Sequence, residues 1–88
     1  MEAKRKPIRL SEHARQQIRF RGATDQEVFD SIRTQTWEIA ELDRLECRKD
    51  FLFQSEWNNK YYDTKQVRPI FVEEYAEIIV VTVYVYYF

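Results

Sequence analysis

The chain has one histidine, His13, and several lysines and arginines in segments that a small fold would bring near it. An imidazole titrates near neutrality, so His13 is the first candidate for general acid–base work. Cleaving RNA needs a base for the 2′-hydroxyl, a cation for the phosphate charge and an acid for the leaving oxygen. His13, Arg21, Lys65 and Arg68 have the side-chain types for those roles, provided that the fold assembles them. The alternative for His13 is a hydrogen bond to a strand carbonyl that locks its helix onto a sheet. Arg21, just before the only glycine, serves equally well to offset the carbonyl end of a helix dipole. Lys65 and Arg68 are three apart on a predicted strand, so a regular pleat sends them to opposite faces. Only a bulge near Pro69 would join them.

A second set of residues has the chemistry of binding. Arg15 and Arg19 are four apart, on one face of a predicted helix, and suit phosphate contacts. Tyr61 and Tyr86 lie on predicted strands rich in tyrosine, where exposed rings stack bases and paired rings stabilise a sheet face. Tyr84 is read as packing. One His and one Cys far apart cannot make the usual N/S ligand set, so no metal is expected. A single glycine cannot form a phosphate-cradling loop, and no cofactor is expected. Cys47 reads as a small core residue.

The elements that must position these residues follow from periodicity. Ile8-Arg9-Leu10 alternates and predicts a short strand. Ser11 supplies an N-cap oxygen, and Leu10, Ala14 and Ile18 mark the buried stripe of a helix over residues 11–20. Gly22 falls where that helix must stop, in the left-handed position that a Cβ disfavours. Thr24 and Glu27 have capping-box spacing, and Val28, Phe29 and Ile32 stripe a second helix over 25–33. From Trp37 the period changes to two. Trp37 to Glu41, a turn at Asp43-Arg44 and a return strand through Phe53 are expected, then a loop at 56–59. A long strand over 61–74 follows, bent or exposed at Pro69. Residues 78–88 are apolar on both faces apart from Thr82, as a strand in the middle of a sheet requires. Val81 and Val83 are both expected in the core, so that Asp at either abolishes folding, and Tyr87, near the strand's end, is expected to tolerate Ser; the competing reading makes one face of this strand a dimer interface. The predicted fold is α+β in the order β-α-α-β-β-β-β: two N-terminal helices packed on an antiparallel sheet of about four strands.

Eighty-eight residues make one domain, 1–88, with residues 1–7 read as a flexible basic start. That start precedes no apolar stretch, and the apolar run 78–88 is too short to cross a bilayer as a helix. With one Cys and so no intramolecular disulfide, the expected compartment is the cytoplasm. Net charge is −1, yet residues 1–22 hold seven Lys/Arg against two acids. Residues 23–47 hold seven acids against two Arg; the two blocks are expected to neutralise each other across the fold, the alternative being a basic first helix that meets phosphates. A pI near 5.8 lacks the general footprint of a nucleic-acid binder.

Ser11-Glu12-His13-Ala14, then Arg21-Gly22 before the capping Thr24, and Thr82-Val83-Tyr84 in the last strand resemble domain-of-unknown-function family 4258. The resemblance runs from about Arg9 to Phe88. The layout in turn resembles small bacterial toxins of the RelE/ParE and BrnT type. What this implies is a toxin-like ribonuclease or nucleic-acid-acting component of a toxin–antitoxin pair, with RNA and an antitoxin-like protein as partners. The alternative is a non-catalytic interaction module that binds a partner through its sheet edge or aromatic face. A homodimer is compatible with either.

Overall fold

In a computed structural model, which describes residues 5–88, the chain starts with a strand β1 (Ile8–Leu10). Residues 1–4 of the basic start lie outside the described residues. Lys6 is held by Glu73 at 3.0 Å and by the Glu74 carbonyl at 2.8 Å. Helix α1 (Glu12–Arg21) opens as its cap chemistry dictates, the Ser11 hydroxyl accepting from the Ala14 amide at 3.0 Å. Gly22 closes it at φ 82°, the left-handed conformation that only glycine enters without strain. Helix α2 (Asp25–Thr34) carries the full capping box: Thr24 Oγ1 accepts from the Glu27 amide, and Glu27 Oε1 from the Thr24 amide.

The strands that follow are β2 (Glu38–Ile39), β3 (Leu45–Glu46), β4 (Lys49–Trp57), β5 (Lys60–Glu73) and β6 (Ile78–Tyr87). They form a six-stranded mixed sheet in the order β1-β6-β5-β3-β2, with β4 also paired to β5. Two expectations are corrected here. The sheet is not purely antiparallel, because β1 runs parallel to β6, Ile8 opposite Ile78. The single return strand is two strands, β3 and β4, separated at Cys47 and Arg48. Pro69 explains the break. It faces Val83 in a pair whose backbone groups point away from each other, so its missing N–H falls into the gap between β3 and β4.

Both helices cover one face of the sheet. Ala14 and Ile18 of α1 and Val28 and Ile32 of α2 are buried against Val67, Phe71, Ile78, Val80 and Val83. Trp37 seals the end of this core edge-on to Phe71, ring centroids 5.1 Å apart, and its Nε1 donates to the Ile32 carbonyl. The opposite face carries no layer among the described residues.

Strand β6 therefore only partly fits the expectation of a central strand. It lies between β1 and β5 over Ile78–Val80; beyond that no described strand borders its outer edge. The exposed carbonyls there take side-chain donors instead: Ser11 Oγ bonds to Val81 at 3.1 Å and Arg21 Nη1 to Val83 at 2.9 Å. Tyr87 is also unlike its expectation. Its ring stacks on Trp57 at 5.1 Å and 17°, meets Phe53 and Tyr62, and its hydroxyl donates to the Arg21 carbonyl at 2.7 Å.

Candidate functional site

Alternation along β5 sends Lys65 and Arg68 to opposite faces. The register shift lies between Ile70 and Phe71, beyond both residues, so it does not bring them together. Lys65 faces the helices and is almost fully buried. Its Nζ donates to the Gly22 carbonyl at 3.0 Å, pairs with Glu27 Oε2 at 2.9 Å and lies 5.5 Å over the Phe53 ring. The one ammonium thus ties the end of α1 and the start of α2 to the sheet.

Arg68 projects from the helix-free face. Its Nε donates to Glu46 Oε1 at 3.0 Å, and Nη1 donates to the Tyr86 hydroxyl at 3.1 Å. The bond to Glu46 is the main cause that raises the Arg68 pKa, outweighing its partial burial, so the guanidinium stays charged. Glu46 is itself buried, and Arg48 approaches it at 3.7 Å. Arg21 reaches the same region around the open edge of β6. Its guanidinium sits 5.0 Å from the Tyr84 ring centroid and that of Arg68 sits 5.4 Å from it. Arg21, Arg68 and Tyr86 are therefore assembled around Tyr84, with Glu46 as the counter-charge.

The remaining residues lie elsewhere. His13 is exposed in the first turn of α1, and Arg21 follows eight residues later, roughly 12 Å along the axis. Arg15 and Arg19 are exposed on α1, and Tyr61 is exposed on β5. Among the described residues, no group of three or more His, Cys, Asp or Glu is placed to hold a metal ion.

The helix-free face is unusually apolar for a surface. Leu52 is 80 % exposed, Phe88 58 %, Tyr86 42 % and Tyr84 37 %. Alternation from Gln66 and Arg68 puts all four on this face, with the half-buried Val72 and Ile79 at its other end. Beside Arg68 the face deepens into a pocket of about 510 Å³, with Ile70 and Thr82 among its lining residues and the 41–44 turn and Tyr84 around it. That turn holds Leu42 at φ 59° and Asp43 at φ 60°. A left-handed leucine costs about 1–2 kcal/mol, and here it leaves the side chain 79 % exposed at the pocket rim.

Sequence reasoning did not single out Glu46, Leu42, Leu52 or Phe88. For Leu52 a signal existed, an apolar residue between Phe51 and Phe53 on a strand whose alternate positions are inward. For Glu46 none did, since its partner is 22 residues away. No family model, no curated protein and no solved structure matches this chain. Among the described residues no helix is long and apolar enough to cross a membrane.

Proposed function

We propose that this chain is a protein-interaction module that docks its partner on the helix-free face of the sheet. The observation that carries this reading is the set of four large apolar side chains, Leu52, Tyr84, Tyr86 and Phe88, exposed together there. Contiguous apolar surface of this kind on a small domain marks an interaction site. The charges on the face favour a protein over a nucleic acid. Arg68 and Arg48 both lie against Glu46, Arg21 is turned to the Val83 carbonyl, and Asp50, bonded by Gln66 at 2.9 Å, adds a second carboxylate, so the cations of this face are interspersed with acids. The test is a photo-crosslinking amino acid placed at Tyr86 or, as a control on α1, at Phe20. A protein adduct formed from position 86 and not from position 20 supports the module; the reverse pattern refutes it.

A second reading, the toxin-like nuclease with an antitoxin-like partner, draws support from α1. Arg15 and Arg19 are exposed there with His13, and neither arginine has an ion-pair partner among the described residues. Its test is induced expression of wild type and His13→Ala in a bacterial host, reading growth and RNA integrity. Equal growth of the uninduced, wild-type and variant cultures ends that reading.

A further inference from the structure

We infer that the outer edge of β6 pairs with the same edge of a second copy of this chain, antiparallel about a two-fold axis at Tyr86. The inference goes beyond docking on the helix-free face, which it leaves open. It starts from the backbone. Phe88 and Thr64 exchange both of their hydrogen bonds, so antiparallel alternation turns the backbone groups of Tyr86 and Tyr84 toward β5. Val83, Val85 and Tyr87 turn theirs outward. The Val83 carbonyl takes the Arg21 side chain, and the side-chain bonds that reach this edge from Ser11 and Arg21 end there. Beyond it, the N–H and C=O of Val85 and of Tyr87 have no partner among the described residues.

Those four groups are a matched set. In an antiparallel pair centred on Tyr86, Val85 faces Tyr87 of the second copy and the two exchange both bonds; symmetry repeats the exchange on the other side of the axis. All four groups are then satisfied, and the Val83 carbonyl keeps Arg21. A pair centred on Val85 would set Val83 opposite Tyr87 and compete with Arg21 for that carbonyl, so Arg21 fixes the register. The side chains agree with it. On the helix-free face Tyr86 meets its own copy and Tyr84 meets Phe88, three exposed rings whose cross-strand pairing stabilises neighbouring strands. No residue from Thr82 to Phe88 is charged or is proline. The Arg21 bond lies three residues from the axis, which sets the two arginines roughly 20 Å apart along the strands, beyond a Debye length. Arg68 is one strand further in and has Glu46 against it. The other sheet edge is blunted: β4 has a register shift between Leu52 and Ser55, a left-handed Gln54 at φ 43°, and the charges of Lys49, Asp50 and Glu56. The seam on β6 joins two six-stranded sheets into one and lays their helix-free faces side by side.

The experiment is sedimentation equilibrium of the purified full chain at roughly 100 μM, where a Kd of ~10 μM leaves most chains paired. Wild type is expected as a dimer. Val85→Pro removes an outward N–H and no bond to β5, because Val85 and Val67 form a non-hydrogen-bonded pair. It is expected as a monomer with an unchanged circular dichroism spectrum. Tyr86→Lys, at a site 42 % exposed, sets like charges opposite each other and is expected to weaken the dimer at least tenfold. It decides alone if Val85→Pro fails to fold. Phe20→Lys on α1 is expected to remain a dimer. A monomeric wild type, a dimer lost in Phe20→Lys, or a dimer that a folded Val85→Pro or Tyr86→Lys leaves as tight as wild type overturns the inference. The position-86 crosslink keeps this claim apart from the docking face. An adduct of twice the chain's mass that disappears in Val85→Pro supports the seam. An adduct to a different protein alone, surviving Val85→Pro, removes the seam and keeps the docking face.

Discussion

Replacing Lys65 by Met isolates what its buried ammonium does. Methionine keeps nearly the same length and volume, so no cavity term enters. What is lost is the 2.9 Å pair with Glu27 and the bond to the Gly22 carbonyl. Removing one member of a buried ion pair typically costs 3–5 kcal/mol, because the other is left buried and uncompensated. Glu27 keeps its capping bond to the Thr24 amide, and its side chain is 20 % exposed against 8 % for Lys65. Water therefore recovers part of the loss, and we expect a cost of about 2–3 kcal/mol. Glu27→Gln keeps the capping acceptor but leaves the more deeply buried Lys65 ammonium without its anion, so it should cost at least as much, about 2–3 kcal/mol, while the double variant should cost less than the sum of the two. Urea unfolding followed by tryptophan fluorescence reads this directly. With an m-value of about 1 kcal/mol/M, Lys65→Met should lower the midpoint by roughly 2–3 M. A midpoint within about 0.5 M of wild type would refute the account. Loss of a measured activity without loss of stability would instead return Lys65 to the chemistry that its sequence position suggested.

Gly22→Ala should lower the melting temperature by roughly 10 °C, since a Cβ at φ 82° would lie 2.6 Å from Trp57 Cζ3 and 2.5 Å from the Tyr87 hydroxyl. An unchanged melting curve would mean that the close approach is absent. Tyr87→Phe removes the bond to the Arg21 carbonyl and should cost about 1 kcal/mol. Burial, then the Glu27 charge, raise the Tyr87 pKa above 10.0, so its contribution is whole below that pH and is lost as pH rises through the folded value. The gap between wild type and Tyr87→Phe should therefore narrow on alkaline titration, and a gap that widens contradicts the burial. Val83→Asp, at a fully buried position under the helices, should abolish the cooperative unfolding transition; Leu52→Asp on the open face should leave its midpoint within about 0.5 kcal/mol.

Local chemistry was readable in the residues, and distant pairing was not. The Ser11 cap, the capping box of Thr24 and Glu27, and the left-handed Gly22 each depend on neighbours within a few positions. Both helices consequently sit within a residue of where periodicity puts them. The break at Cys47 and Arg48 depends on Pro69 passing in the adjacent strand, and nothing near Cys47 announces it. Three residues of β1 are too few to disclose that their neighbour is β6 and that they run parallel to it. For the site, Arg68 and Tyr86 were recognised by type, but the side on which they meet Glu46 follows from register across three strands. The apolar character of both faces of β6 is legible in its residues, but only the face of Ile78, Val80 and Val83 is buried, because both helices lie on that side of the sheet.

The pairing of β1 with β6 also has a consequence for how the molecule is reached from the unfolded state. Ser11 and Val81, joined by a side-chain bond at this seam, are 70 residues apart. Closing a loop of that length costs about 4 kcal/mol of chain entropy before any contact across it is made. The two helices are only 10 residues each, too short to persist alone in water, and although α2 lies on β5, the buried stripe of α1 has no floor until β6 arrives. The β4–β5 hairpin, by contrast, closes through the adjacent left-handed Asn58 and Asn59. It is the element that local chemistry can start first. Refolding should therefore be slow for so small a chain and limited by the arrival of β6. During that interval the strand richest in branched apolar residues is uncovered on both sides, and competition between folding and aggregation is decided there.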